Sequence, residues 1–259
     1  MFKAIFKFIN SFLPYKTCNK TNKIYIIEKG IKKELKHKIK GLNIIFTSTA
    51  QNSYVELHMP LNFKNSTIKL AGESAKVTIK KTENEINNAN FLCYAYGEIF
   101  IDEDSRITMP NLVVKVCNNY KENPSKVIIG KSCQIGQDVI IRTSDGHSIF
   151  NVGENIPFNA PKDIIIGDNV WIGERVVILK GSKISNNSVI GTCALVNKVF
   201  DEENVIIAGL PAKIIKRNIF WKRTHYGDFM SSLNPKSRNI NNKEILIKKL
   251  KRKLLKRFI

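Results

Sequence analysis

The sequence predicts an all-β fold, a parallel β-helix, and three observations carry that expectation. Ile129, Ile135 and Ile141, then Ile166, Ile172, Ile178, Ile184, Ile190 and Val196, fall on a six-residue beat. Gly130, Gly136, Gly167, Gly173 and Gly191 directly follow five of them. Small or β-branched residues, Cys133, Val139, Val170, Val176, Ser188 and Ala194, stand four positions after the beat. A helix repeats at about 3.6 residues and a strand at about 2, so a period of six belongs to a solenoid in which three hexapeptides complete one triangular coil. Each beat aliphatic is expected to point into the prism, and each small residue to let the backbone turn at a corner.

Residues 1–35 read as an N-terminal amphipathic helix and a connector. Phe2, Ile5, Phe6, Ile9, Phe12 and Leu13 share one helical face, and Pro14 ends it. Lys3 and Lys7 interrupt the apolar run and no small-residue cleavage site follows, so it does not read as a signal peptide. The polar stretch 15-YKTCNKTNK-23 leads onward.

The solenoid is expected over 36–216, with irregular early coils to about residue 126 and regular coils from near Val127. Ile101, Ile107 and Val113 keep the beat in the early part, with Ser105 and Asn111 at corners, and Ile86 and Leu92 keep it weakly. Polar loops such as 118-NNYKENPS-125 interrupt it. Such coils would cap the prism and protect its open edge; a separate small β domain is the alternative. Between Ile141 and Ile166 the spacing is not a multiple of six. An excursion over about 142–165 must therefore leave the prism, and long loops on rigid scaffolds are where function tends to sit.

The solenoid ends at 205-VIIAGLPAKIIK-216. Residues 217–259 read as a C-terminal helical basic tail, helical in part around 219-IFWKR-223. In 243-KEILIKKLKRKLLKRFI-259, Ile247, Leu250, Leu254 and Phe258 recur at helical spacing opposite a Lys/Arg face. That composition suits an anionic membrane surface or an acidic partner; packing on its own oligomer is the other reading.

Forty-two basic against 22 acidic residues give a net charge of +20 across 259 residues. The balance favours anionic partners such as nucleotide phosphates or an acidic glycan, and Lys, Asn and Ile richness from genome composition also contributes to it. No nucleic-acid-binding motif accompanies the charge. No stretch approaches the ~20 apolar residues of a membrane span. The five cysteines are scattered, odd in number and free of C-x-x-C pairs, which predicts reduced thiols in a cytoplasmic protein.

The excursion opens with 142-RTSDGHSIF-150. His147 lies within the regular repeat region, whereas His37, His58 and His225 do not. An exposed imidazole suits a general base near neutral pH; a packing role is the alternative. Asp145, with Ser144, is placed to orient the imidazole or contact an acceptor, or else to make the turn before Gly146. Trp171 precedes the inward Ile172 and should face outward, toward an interface, a ligand or both.

The motifs R-T-S-D-x-H-S-I, I-G-D-N-V-W-I-G, I-L-K-G-x-x-I and I-A-G-x-P-A-K-x-I-K follow in order from Arg142 to Lys216, within a match that covers about residues 101–217. They resemble those of the hexapeptide-repeat acyltransferases, most of all the branch that O-acetylates sugars of capsules and lipooligosaccharides, including polysialic acid O-acetyltransferases. The resemblance implies a left-handed parallel β-helix, a homotrimer, acetyl-CoA as donor and a bacterial surface glycan as acceptor. It places the catalytic histidine at His147 and a second active-site residue at Trp171. His147 would take the proton of a sugar hydroxyl as that oxygen attacks the thioester carbonyl. The Trp171 indole N–H or a backbone N–H would face the oxyanion. The resemblance also puts the CoA arm in a groove between prisms, against backbone near Gly173 and Gly191. The loop carrying Ala208, Gly209 and Pro211 would close over it, and Lys198, Lys213 and Lys216 would meet its phosphates.

Two other readings compete. One is N-acetylation of a nucleotide-linked amino sugar, decided by the 148–165 loop. The other is a non-catalytic β-helix that binds or scaffolds, which would have no use for both His147 and Trp171. A zinc enzyme on the same prism needs three gathered histidines, so no metal is expected.

Overall fold

Short strands whose side chains alternate inward and outward, separated by tight corners, wind the chain around a continuous apolar interior. The structure, a computed structural model, describes residues 19–233 with the exception of Asn118. Among these residues, three sheets of nine, seven and five strands form the sides of the solenoid. The pair Asn62–Lys64 and Glu85–Asn87 is followed by Ile107, whose carbonyl accepts from the Asn87 N–H. The first sheet stacks Lys23–Glu28, Tyr54–His58, Lys76–Ile79, Glu98–Ile101, Lys126–Ile129, Ile164–Ile166, Lys183–Ile184 and Val199–Phe200 in chain order. All these pairings are parallel, so each coil lays a strand upon the last.

Antiparallel pairing occurs at the two ends. Ile31–Glu34 folds back on Lys23–Glu28, and Ala212–Lys216 folds back on Ile206–Gly209. A turned-back strand occupies backbone groups that an open coil would leave unpaired. Lys23–Glu28 belongs to the stretch expected as a connector, so the solenoid starts before residue 36. The ladder is continuous from there onward, and the early coils are coils of the same solenoid rather than a separate domain.

All nine beat residues are at most 1% exposed, as are the six small residues behind them. Burying each Ile contributes about 1.5–3 kcal/mol relative to exposure, which fixes the register of every coil. The turn itself is made one residue earlier than expected. Ser132, Asp138, Asn169, Arg175, Asn187 and Cys193 adopt φ between 53° and 61°, and each directly precedes one of the small residues. The left-handed residue bends the chain, and the small side chain then fills the corner from inside.

Register explains why the beat fades upstream. In the regular coils Ile165 lies opposite Lys183 and Trp171 opposite Val189, 18 residues on. In the early coils Tyr54 lies opposite Lys76, 22 residues on, and Asn90 opposite Val113, 23 on. The longer coils break the hexad. Ile86, Ile101 and Ile107 point inward as expected, but Val113 and Leu92 face outward, while Val114 and Phe91 fill the interior.

Cys93, Cys117 and Cys133 are buried and Cys193 is exposed; burial pushes the Cys93 thiol up to about 12. The unit containing the solenoid ends at Trp221. Residues 219–223 are not helical; the helix of the following unit is Tyr226–Ser232. The expected helices over 2–13 and 243–259 lie outside the described residues. No helix among the described residues is long and apolar enough to cross a membrane.

Candidate active site

Strand Ile140–Arg142 ends the second sheet's contribution to its coil, and the next strand of the first sheet is Ile164–Ile166. Ile129 therefore finds its partner Ile166 37 residues on, where a regular coil takes 18. The surplus is the predicted excursion. Its two ends are joined where the Lys162 N–H donates to the Thr143 carbonyl at 3.1 Å. Beneath it lie buried hydroxyls: Ser125 Oγ and Thr143 Oγ1 are 3.0 Å apart, and Ser182 Oγ donates to the Val196 carbonyl at 3.1 Å. Each satisfies a polar group that burial would otherwise leave costly.

His147 is exposed on this excursion. Its carbonyl accepts from Asn159 Nδ2 at 2.8 Å, and Asn159 Oδ1 accepts from the Ile149 N–H at 2.8 Å. Asn159 Nδ2 also donates to Asp145 Oδ2 at 2.9 Å. Lys180, from the next coil, donates to the same Asp145 oxygen at 2.6 Å and to the Asn159 carbonyl at 2.7 Å. The Lys180 hydrogen bond, helped by Asn159 and by the Lys180 and Arg142 charges, holds the Asp145 carboxyl below its ordinary range. Asp145 thus acts on the loop through Lys180 and Asn159. Ser144 is buried; its Oγ accepts from the Gly146 N–H at 3.1 Å and its carbonyl from Arg142 Nε at 2.8 Å, which shapes the turn into His147.

Trp171 faces outward from the third sheet and is 45% exposed. Trp221 packs on it, ring centroids 5.9 Å apart at 44°, and is fixed by its indole N–H, which donates to the Asn169 carbonyl at 2.7 Å. The excursion leaves the corner between the second and first sheets, opposite the side on which Trp171 stands. Among the described residues, no hydrogen bond or ring contact joins His147 to Trp171.

The residues assigned to the cofactor divide likewise. Gly173, Gly191, Ala208 and Gly209 follow one another up the third sheet and its closing hairpin, with Pro211, Lys213 and Lys216 on the turn and return strand. The N–H groups of Gly173 and Gly191 donate to Ile190 and Ile207 of the following coil, each at 2.8 Å, so those two N–H groups are already engaged. A Cβ on Gly173 would come within 2.8 Å of the Ile190 carbonyl oxygen, and one on Gly191 within 2.9 Å of the Ala208 side chain. Coil stacking alone demands glycine at both. Lys198 stands one coil beyond Lys180 at the corner of the excursion, its Nζ 5.3 Å from the Phe200 ring centroid.

Sequence reasoning missed Lys180, Asn159 and Trp221. Lys180 was inside a recognised motif, I-L-K-G, and could have been found there. Asn159 carries no local signal. Trp221 was hidden by the expectation of a helix around it.

The chain resembles known proteins in the same terms. Residues 163–198 match the family model for bacterial transferase hexapeptide, six repeats. A polysialic acid O-acetyltransferase of Neisseria meningitidis is 33% identical over 184 residues, 71% of this chain and 82% of the relative. One of Escherichia coli O1:K1 is 43% identical over 106 residues, 40% of this chain and 34% of the relative, so the match spans about a third of that protein. Two crystal structures are also similar. The polySia-specific acetyltransferase NeuO superposes with a TM-score of 0.61 at 26% identity, over 88% of this chain and 95% of its own. The polysialic acid O-acetyltransferase OatWY does so with 0.59 at 29% identity, over 82% and 97%.

Proposed function

Since the chain belongs to the hexapeptide-repeat acyltransferases, in the branch of the polysialic acid O-acetyltransferases, we propose that it transfers an acetyl group from acetyl-CoA to a sugar hydroxyl of a bacterial surface glycan. The observation that carries this reading is His147 itself, exposed on the one long excursion of the regular coils and tied down at its base. The acceptor class follows from the relatives' activity on polysialic acid and from the net charge of +20, which attracts an acidic polymer.

In this mechanism the prism is left-handed and three chains assemble. His147 of one chain faces Trp171 of the next, which is how residues on opposite sides of one prism serve one site. His147 removes the acceptor proton while the hydroxyl attacks the thioester carbonyl. The Trp171 indole N–H stabilises the oxyanion, and Trp221 buttresses that ring. Collapse expels CoA thiolate, which takes up a proton, and no covalent enzyme intermediate forms. The third-sheet edge from Gly173 to Lys216 receives the CoA arm, with Lys213 and Lys216 at its phosphates.

The test is acetyl transfer from acetyl-CoA to a panel of acidic and neutral bacterial glycans, read by thiol release and product mass. Mass gain on an acidic polysaccharide supports the reading. Thiol release only with an amino sugar nucleotide would replace it with N-acetylation.

A further inference from the structure

We propose that Lys180 is a positioning residue for the acetyl-transfer step, acting through Asn159 and Asp145 to set the backbone that carries His147. The inference rests on His147 being the general base.

Apolar packing contributes little to holding the excursion. Ile149, Phe150, Val152, Ile156 and Phe158 are 46–105% exposed, so its apolar side chains do not anchor it to its own prism. Its limbs meet at the feet and where the Phe158 N–H donates to the Ile149 carbonyl at 3.0 Å, which ties the loop to itself and not to the coil. Hydrogen bonds from a rigid element must then place the histidine, and here they converge on one ammonium. Lys180 directly follows strand Val177–Leu179, which is locked in register with Ile140–Arg142 below and Leu195–Val196 above. Its side chain is 18% exposed.

From that fixed point Lys180 reaches both limbs of the loop, Asp145 on the outgoing one and Asn159 on the returning one. Asn159 passes the constraint on, binding the His147 carbonyl and the Ile149 N–H with the two ends of its carboxamide. The two peptide groups that follow the histidine, on either side of Ser148, are thereby referred to the coil. The bonds to Asp145 are charge-assisted, which makes them short and directional. A neutral side chain of similar length at position 180 would fill the space without holding either limb.

The experiment compares Lys180→Met, Lys180→Arg, Asn159→Ala and His147→Ala in the full-length protein. Acetyl-CoA and polysialic acid are the substrates, and amide hydrogen exchange at Ile149 is followed in parallel. Displacing a catalytic group by an ångström costs up to about 100-fold. Lys180→Met and Asn159→Ala are therefore expected to lower kcat about 10–100-fold, with KM for acetyl-CoA within about twofold, and to speed exchange at Ile149. Lys180→Arg keeps the charge and should recover part of the loss. The double variant should be no worse than the poorer single one, because the two act as a unit. An inactive His147→Ala beside a Lys180→Met at wild-type kcat overturns the clamp alone. His147→Ala at wild-type rate overturns the general-base reading on which it stands. If Lys180→Met fails to fold, Asn159→Ala carries the same test, and its wild-type kcat overturns the proposal.

Discussion

Asp145 shows what one residue's surroundings add to the roles that its sequence position left open. Beside a histidine and before a glycine it suits an imidazole partner, an acceptor contact or a turn; the structure gives its carboxylate to Lys180 and Asn159. Its folded-state value lies below the ordinary 3.8. The pairing therefore stabilises the loop above about pH 4, and that contribution is lost as pH falls through the folded value. Amide exchange at Ile149, corrected for its intrinsic rate, should show protection at about pH 5 that fades only as pH falls below the ordinary carboxylate value, and Asp145→Asn should reduce that protection already at about pH 5. Equal protection in the variant and the wild type at about pH 5 would rule out the carboxylate as a tether. For the histidine, His147→Ala should cut turnover by about 10²–10⁴, the usual worth of positioned acid–base catalysis, while CoA still binds. Turnover within a few-fold of wild type would sink the assignment.

At the level of strands and coils, the hexad was legible where coils are 18 residues long and misleading where they are 22 or 23. The interior repeats by geometry, one residue in and one out, and a corner lengthened by four or five residues shifts the beat without disturbing that alternation. Val113 kept the beat in sequence yet faces outward, and its neighbour Val114 is fully buried. Val114→Ala should accordingly cost about 1.5–3 kcal/mol, from lost burial plus a cavity, and Val113→Ala at most about 1. Chemical denaturation of the two variants decides it: similar losses, or the reverse order, would contradict the observed register. The excursion was legible for the same geometric reason, since a break in the register must leave the prism, but its internal bonds were not. Asn159 lies 12 residues from His147, and no local pattern links them.

For the molecule as a whole, the excursion that carries His147 leaves the corner between the second and first sheets while Trp171 stands on the third, so the proposed mechanism calls on a second chain to unite them. A His147→Ala protein mixed with a Trp171→Ala protein, unfolded and refolded together, should regain some activity, because a mixed assembly contains an interface with both residues intact. No recovery in mixtures shown to have exchanged subunits, or a strictly monomeric active protein, would refute the shared site. For the basic segment 243–259 we propose contact with an anionic membrane surface, which several copies in one assembly would strengthen. Binding to anionic vesicles should be salt-sensitive, since exposed charges are screened within about 10 Å at 0.1 M, and should vanish when 243–259 is removed. Vesicles that fail to retain the intact protein at low salt would end that reading.

By itself the sequence determined the repeat, the inward aliphatics of the regular coils, the point where the chain leaves the prism and the histidine it carries there. All of these are encoded locally, because a coil of constant length converts sequence spacing directly into position. Tertiary structure decided what spacing cannot reach. It lengthened the early coils, moved the turn onto left-handed residues such as Asn169 and Arg175, set Trp221 against Trp171, and brought Lys180 from one coil and Asn159 from the far limb of the loop to the same carboxylate. Those contacts depend on which coils stack and where a long loop closes, and such choices are settled by packing among residues far apart in the chain.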